Sequence, residues 1–66
     1  MTDDREERYI QQLRETAHAW LEAESAFDRA TVAGAPTAER IELAKVAAAA
    51  RDVHLKLART REPVES

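Results

Sequence analysis

The 66-residue chain has no cysteine, one glycine, two prolines, and a single residue each of tryptophan, tyrosine and phenylalanine. Without cysteine there can be no disulfide, no thiolate metal ligand and no thiol nucleophile. A lone glycine excludes the Gly-rich loops that cradle phosphates. No stretch comes near the roughly 18 consecutive apolar residues that span a bilayer. The opening segment, Met1-Thr2-Asp3-Asp4-Arg5-Glu6-Glu7-Arg8, is densely charged and lacks the apolar centre of a secretory signal. The expected location is therefore the cytoplasm. With net charge -3 and 35% charged residues, the whole chain has no general attraction for nucleic acid or anionic lipid. Arginine outnumbers lysine and alanine is abundant, a codon signature of a GC-rich bacterial genome.

What is present is organised by one break. Gly34-Ala35-Pro36 separates two stretches in which apolar residues recur at helical spacing. The first predicts a helix over about residues 4–32, with Thr2, Asp3 or Asp4 as its cap and Glu6 and Glu7 at the positive end of its dipole. Within it Tyr9, Leu13, Thr16, Trp20, Ala23, Phe27 and Ala30 step alternately by four and three, a heptad-like seam. Gly34 supplies a left-handed cap and Pro36 stops propagation, so residues 33–37 form the turn.

A second helix follows over about residues 38–61, with Thr37 as N-cap and Glu39 in its first turn. Its seam reads Leu43, Val46, Ala50, Val53 and Leu57, with Ala47 and His54 beside the line. Arg59 and Arg61 suit the negative end of the dipole, Pro63 ends the helix, and residues 62–66 are expected to fray. At 1.5 Å per residue the helices would be about 42 and 35 Å long. The predicted fold is thus all-α: one domain, a two-helix antiparallel hairpin. Folding about the turn pairs positions whose numbers add to roughly 70. Phe27 then meets Leu43, Trp20 meets Ala50 and Ala47, Ala17 meets Val53, and Leu13 meets Leu57, with large residues set opposite small ones.

A chain of this length buries only about 60% of its unfolded surface, and two helices make a line of contact rather than an enclosed core. Lacking disulfides and thiolate metal sites, it is expected to be stapled by a partner subunit. Helix 2 suggests where. Ile41, Ala44, Ala48 and Leu55 lie about 100 to 160° from Leu43, which makes the helix apolar on two sides. That second stripe is read as an interface through which the hairpin dimerises into a four-helix bundle. The competing reading is a tilted helix 2 whose single wide face serves the hairpin alone.

Chemistry is sparse. Glu24 falls in the helix 1 seam, where it either pairs with Arg51 or Lys45 or reaches water from the seam edge; the second is favoured. Glu15-Thr16-Ala17-His18 has the Glu-x-x-His spacing that bundle metal sites use, and a dimer would supply it twice. Neither Glu15 nor His18, however, lies on the predicted seam, where a bundle metal would sit, and surface histidines are the favoured reading. No metal or cofactor is expected. Nothing resembles a nucleophile with its base or a carboxylate pair facing a cleft, so no catalytic residue is assigned and an enzyme is not expected.

Nucleic-acid binding is the sharper rival to protein interaction. Helix 1 is acid-rich and helix 2 base-rich, and Lys45, Lys56 and Arg59 share one face, with Arg40, Arg51 and Arg61 nearby. The architecture is similar to that of ROP-type RNA-binding hairpin dimers, with no motif in common. Helix 2 has no aromatic residue to stack on bases, and Asp52 divides the basic face. Small helical-hairpin co-chaperones of type III secretion are a second architectural parallel. The resulting expectation is a non-catalytic interaction or assembly module, a homodimer that serves a second, larger protein. Nucleic-acid recognition through helix 2 is the alternative, and no membrane partner is expected.

Overall fold

The computed structural model describes residues 4–64. Two helices, α1 (Asp4–Val32) and α2 (Thr37–Thr60), pack antiparallel into a hairpin measuring 51 × 18 × 16 Å. The described residues contain no strand.

Each helix boundary has a local cause. Asp4, Glu6 and Glu7 occupy the first turn of α1 and Arg29 the last, complementing the dipole at both ends. The candidate caps Thr2 and Asp3 lie outside the described residues. At the other end Gly34 adopts φ 76°. The Gly34 amide donates to Thr31 O at 3.2 Å and the Ala35 amide to Ala30 O at 2.9 Å. These two bonds are the Schellman pair, which satisfies carbonyls the helix would otherwise leave open.

Helix α2 begins differently from the expectation. Pro36 rather than Thr37 is the N-cap, at φ -56° and ψ 148°, and no side chain caps the helix. The Pro36 carbonyl already accepts from the Arg40 amide at 3.1 Å, so Thr37 lies inside the first turn. Its hydroxyl instead accepts from Arg40 Nη2 at 3.3 Å. The C-terminal end closes through Arg61, which adopts the left-handed conformation (φ 58°) while its amide donates to Leu57 O at 3.3 Å.

The seam of α1 is as predicted: Tyr9, Leu13, Thr16, Trp20, Ala23, Phe27 and Ala30 are all half-buried. That of α2 is rotated. Leu43, Ala47, Ala50, His54 and Leu57 turn inward, and Ala47 (6% exposed) and Leu57 (3%) are the buried residues of the described chain. Val46 and Val53, assigned to the seam from their spacing, are 57% and 55% exposed. Both series step by three and four, and the valine series lies only about 60 to 80° away around the helix. The alanine at position 47 gives closer helix approach than a valine would, and the polar edge of His54 finds a partner in Thr16. Bulk at 46 and 53 therefore loses to fit at 47 and 54.

The register holds. Thr16 Oγ1 lies 2.8 Å from His54 Nδ1, a pair whose numbers add to 70. Towards the open end the Tyr9 hydroxyl lies within hydrogen-bond distance of Leu57 O (3.1 Å) and Ala58 O (3.3 Å). Ala17 does not meet Val53, which points to solvent. The Trp20 ring sits 5.9 Å from the His54 ring, tilted by 39°.

Residues 62–64, where fraying is expected from the sequence, make contacts with α1. The Gln12 amide clamps Val64 at both backbone atoms: the Val64 amide donates to Gln12 Oε1 at 2.7 Å, and Gln12 Nε2 donates to Val64 O at 3.1 Å. Arg5 and Glu62 approach to 3.9 Å across the same end. Glu65 and Ser66 lie outside the described residues.

Candidate interaction surface

The hairpin leaves much apolar surface uncovered. Its accessible area is 5313 Å², whereas a compact monomer of this mass exposes about 4,200 Å². The excess is roughly a quarter, and it follows from having one line of helix contact and no third layer.

All four residues of the second stripe are exposed: Ile41 (49%), Leu55 (39%), Ala44 and Ala48. None of them is drawn into the hairpin seam, so that seam is not one wide face of α2. Near the turn, Ile41 and Ala44 line a shallow groove with Phe27, Thr37 and Arg40. The Arg40 Nε atom in this region is buried and has no hydrogen-bond partner among the described residues. A second open groove, at the other end, is lined by Tyr9, Ala58 and Pro63 together with the charged Arg5, Glu6, Arg61 and Glu62. Together the two grooves identify one side of the hairpin, because each draws residues from α1 and from the flank of α2 that carries the stripe.

The charged candidates resolve into solvated neighbours. Glu24 is exposed and accepts a hydrogen bond from Trp20 Nε1 at 3.1 Å, the edge-of-seam arrangement, with its partner one turn away on the same helix. Lys45 pairs with Glu42 at 3.4 Å. Lys56, Arg59 and Asp52 are exposed along the back of α2. Such short-range exposed pairs contribute little to stability.

Glu15 and His18 are not brought together as a ligand pair. Glu15 accepts from Gln11 Nε2 at 3.4 Å, while His18 Nε2 lies 3.1 Å from Glu22 Oε1 one turn further along. His54 belongs to the seam rather than to the surface. Among the described residues no cluster of three or more histidine, aspartate and glutamate side chains is placed to hold a metal ion.

Spacing places Tyr9 and Thr16 in the seam and His54 beside it, but not the polar contacts they make across it, and it gives no sign of Gln12. A signal for His54 did exist, since Ala47, Ala50, His54 and Leu57 step by three, four and three. Nothing in the local sequence pointed to the Gln12 clamp, which joins positions 52 residues apart.

No family model matches the chain, and neither a curated protein nor a solved structure does. Among the described residues no helix is long and apolar enough to cross a membrane.

Proposed function

We propose that this chain is a non-catalytic assembly module: a helical hairpin that homodimerises through the outer face of α2 and presents the resulting bundle to a larger protein. The observation that carries the reading is the exposure of Ile41, Ala44, Ala48 and Leu55 along one helix face. The face is bare in a hairpin that buries only two of its described residues. A single two-helix contact is marginal at this length, and covering that face is the available route to a core.

Sedimentation over a concentration series, with thermal melting at each concentration, tests the reading. A mass of two chains and a melting temperature that rises with protein concentration support it. Leu55→Asp puts a charge on the face and should return the mass to one chain. If Lys45, Lys56 and Arg59 instead serve nucleic acid, binding of the wild-type protein to structured RNA should weaken steeply with added salt. Apolar docking should not.

A further inference from the structure

We infer that the dimer face is built from both helices, and that a second copy of this chain seats on it with both turns at the same end of the bundle. This rests on the homodimer reading above and specifies its geometry. With the register fixed by Thr16 and His54, a rotation of 100° per residue places Ile10, Ala17 and Leu21 of α1 on the same side of the hairpin as the α2 stripe. Two grooves draw on both helices, one bringing Phe27 together with Ile41 and Ala44 near the turn, the other Glu6 with Ala58 at the open end. Leu21 is 64% exposed, and Ile10 is exposed as well.

The occupant follows from area and shape. A stable interface takes about 800 Å² from each partner, and the surface this hairpin carries beyond a compact monomer is of that order. By the same register Leu21 lies level with Ala48, and Ala17 lies nearly level with Leu55. A two-fold axis parallel to the helices lays α1 of one copy on α2 of the other at matching height. Leu21 then covers the second copy's Ala48, and Leu55 of that copy covers Ala17: large meets small in both places. Asp28 comes level with the turn end of the second copy's stripe, beside Ile41 and Arg40; the Arg40 Nε atom has no hydrogen-bond partner among the described residues. An axis perpendicular to the helices and level with Ala48 would instead set Ala48 against Ala48 and Ile41 against Leu55, small on small and large on large.

The absence of native cysteine makes the test direct. Sedimentation of Leu21→Asp, Leu55→Asp and Val46→Asp separates the faces. Loss of the dimer in the first two, with a wild-type-like dimer in Val46→Asp on the opposite side, supports the two-helix face. A Leu21→Asp protein that stays dimeric while Leu55→Asp dissociates overturns the inference and leaves the assembly reading standing. A wild-type protein that is monomeric throughout the series overturns both. Mild oxidation of a mixture of Leu21→Cys and Ala48→Cys chains then reads the arrangement without relying on a destabilised variant. A disulfide between unlike chains is expected, and Ala48→Cys linked only to itself overturns the same-end geometry.

Discussion

Thr16 Oγ1 and His54 Nδ1, 2.8 Å apart, form the polar contact at the middle of the apolar seam. The threonine hydroxyl also lies 2.9 Å from Gln12 O, one turn back on its own helix. Its single proton satisfies the carbonyl when the histidine carries its own proton on Nδ1 and donates to Oγ1. Trp20 covers one side of the imidazole. This pair fixes the helix register in a way that interchangeable apolar contacts cannot, because a one-residue slip leaves the half-buried imidazole nitrogen without its partner.

Thr16→Val should therefore cost about 1 kcal/mol, since it strands the half-buried imidazole nitrogen. His54→Leu strands the hydroxyl less severely, because the Gln12 carbonyl still receives its proton. The double variant should recover part of the loss, with a coupling of roughly 0.5–1.5 kcal/mol in urea denaturation at fixed protein concentration. Strictly additive losses would show that the contact does not set the register.

Ala47 is buried, 6% exposed, in the seam of α2. Ala47→Leu should overpack the seam and cost about 1–3 kcal/mol. Val53→Ser, on an exposed position of the same helix, should stay within about 0.5 kcal/mol of wild type. Equal losses at the two sites in parallel denaturation curves would return the seam to the valine line.

That contrast marks how far the sequence was legible. The hairpin, the extent of α1, the left-handed Gly34 and the pairing sum near 70 all follow from strong local signals: heptad spacing, one glycine and one proline. The rotation of α2 did not. Two apolar lines share its three-four step, and choosing between them needs the helix separation, which depends on side chains of the other helix. Gln12 and Val64 were illegible for a related reason: a glutamine that clamps a backbone 52 residues away leaves no trace in local pattern. The outward stripe was readable because a helix apolar on two sides is conspicuous whatever its partner.

The Gln12 clamp makes a prediction of its own. Gln12→Ala removes both bonds to Val64, so the Val64 amide should lose its protection from hydrogen exchange while the mid-seam amides of α1 and α2 keep theirs. Unchanged protection at Val64 would mean that the tail is held by the packing of Pro63 instead.

Two left-handed residues give opposite expectations. Gly34→Ala meets no atom within 4 Å of the added carbon, so its cost is conformational alone, about 1–2 kcal/mol. Arg61 carries that same conformational burden with a side chain, and Arg61→Gly should stabilise α2 by about 0.5–1 kcal/mol. Thermal melting of both variants at one concentration checks the pair; a destabilised Arg61→Gly would show that its guanidinium makes a compensating contact.

Leu57 combines the deepest burial in the described chain with a carbonyl that faces the Tyr9 hydroxyl and accepts from the Arg61 amide. Leu57→Ala removes the side chain and leaves those backbone bonds available, so the loss is one of packing. It should fall near the low end of the usual range, about 2–3 kcal/mol, because a two-helix seam relaxes more readily than an enclosed core. Even that is a large share of what so short a hairpin holds. The variant should therefore lose helicity by circular dichroism at low concentration and regain it as concentration rises, since association stabilises the folded chain by mass action. Helicity that is lost and does not return with concentration would show that the hairpin stands or falls alone. Helicity retained at every concentration would show that Leu57 is not the centre of its core.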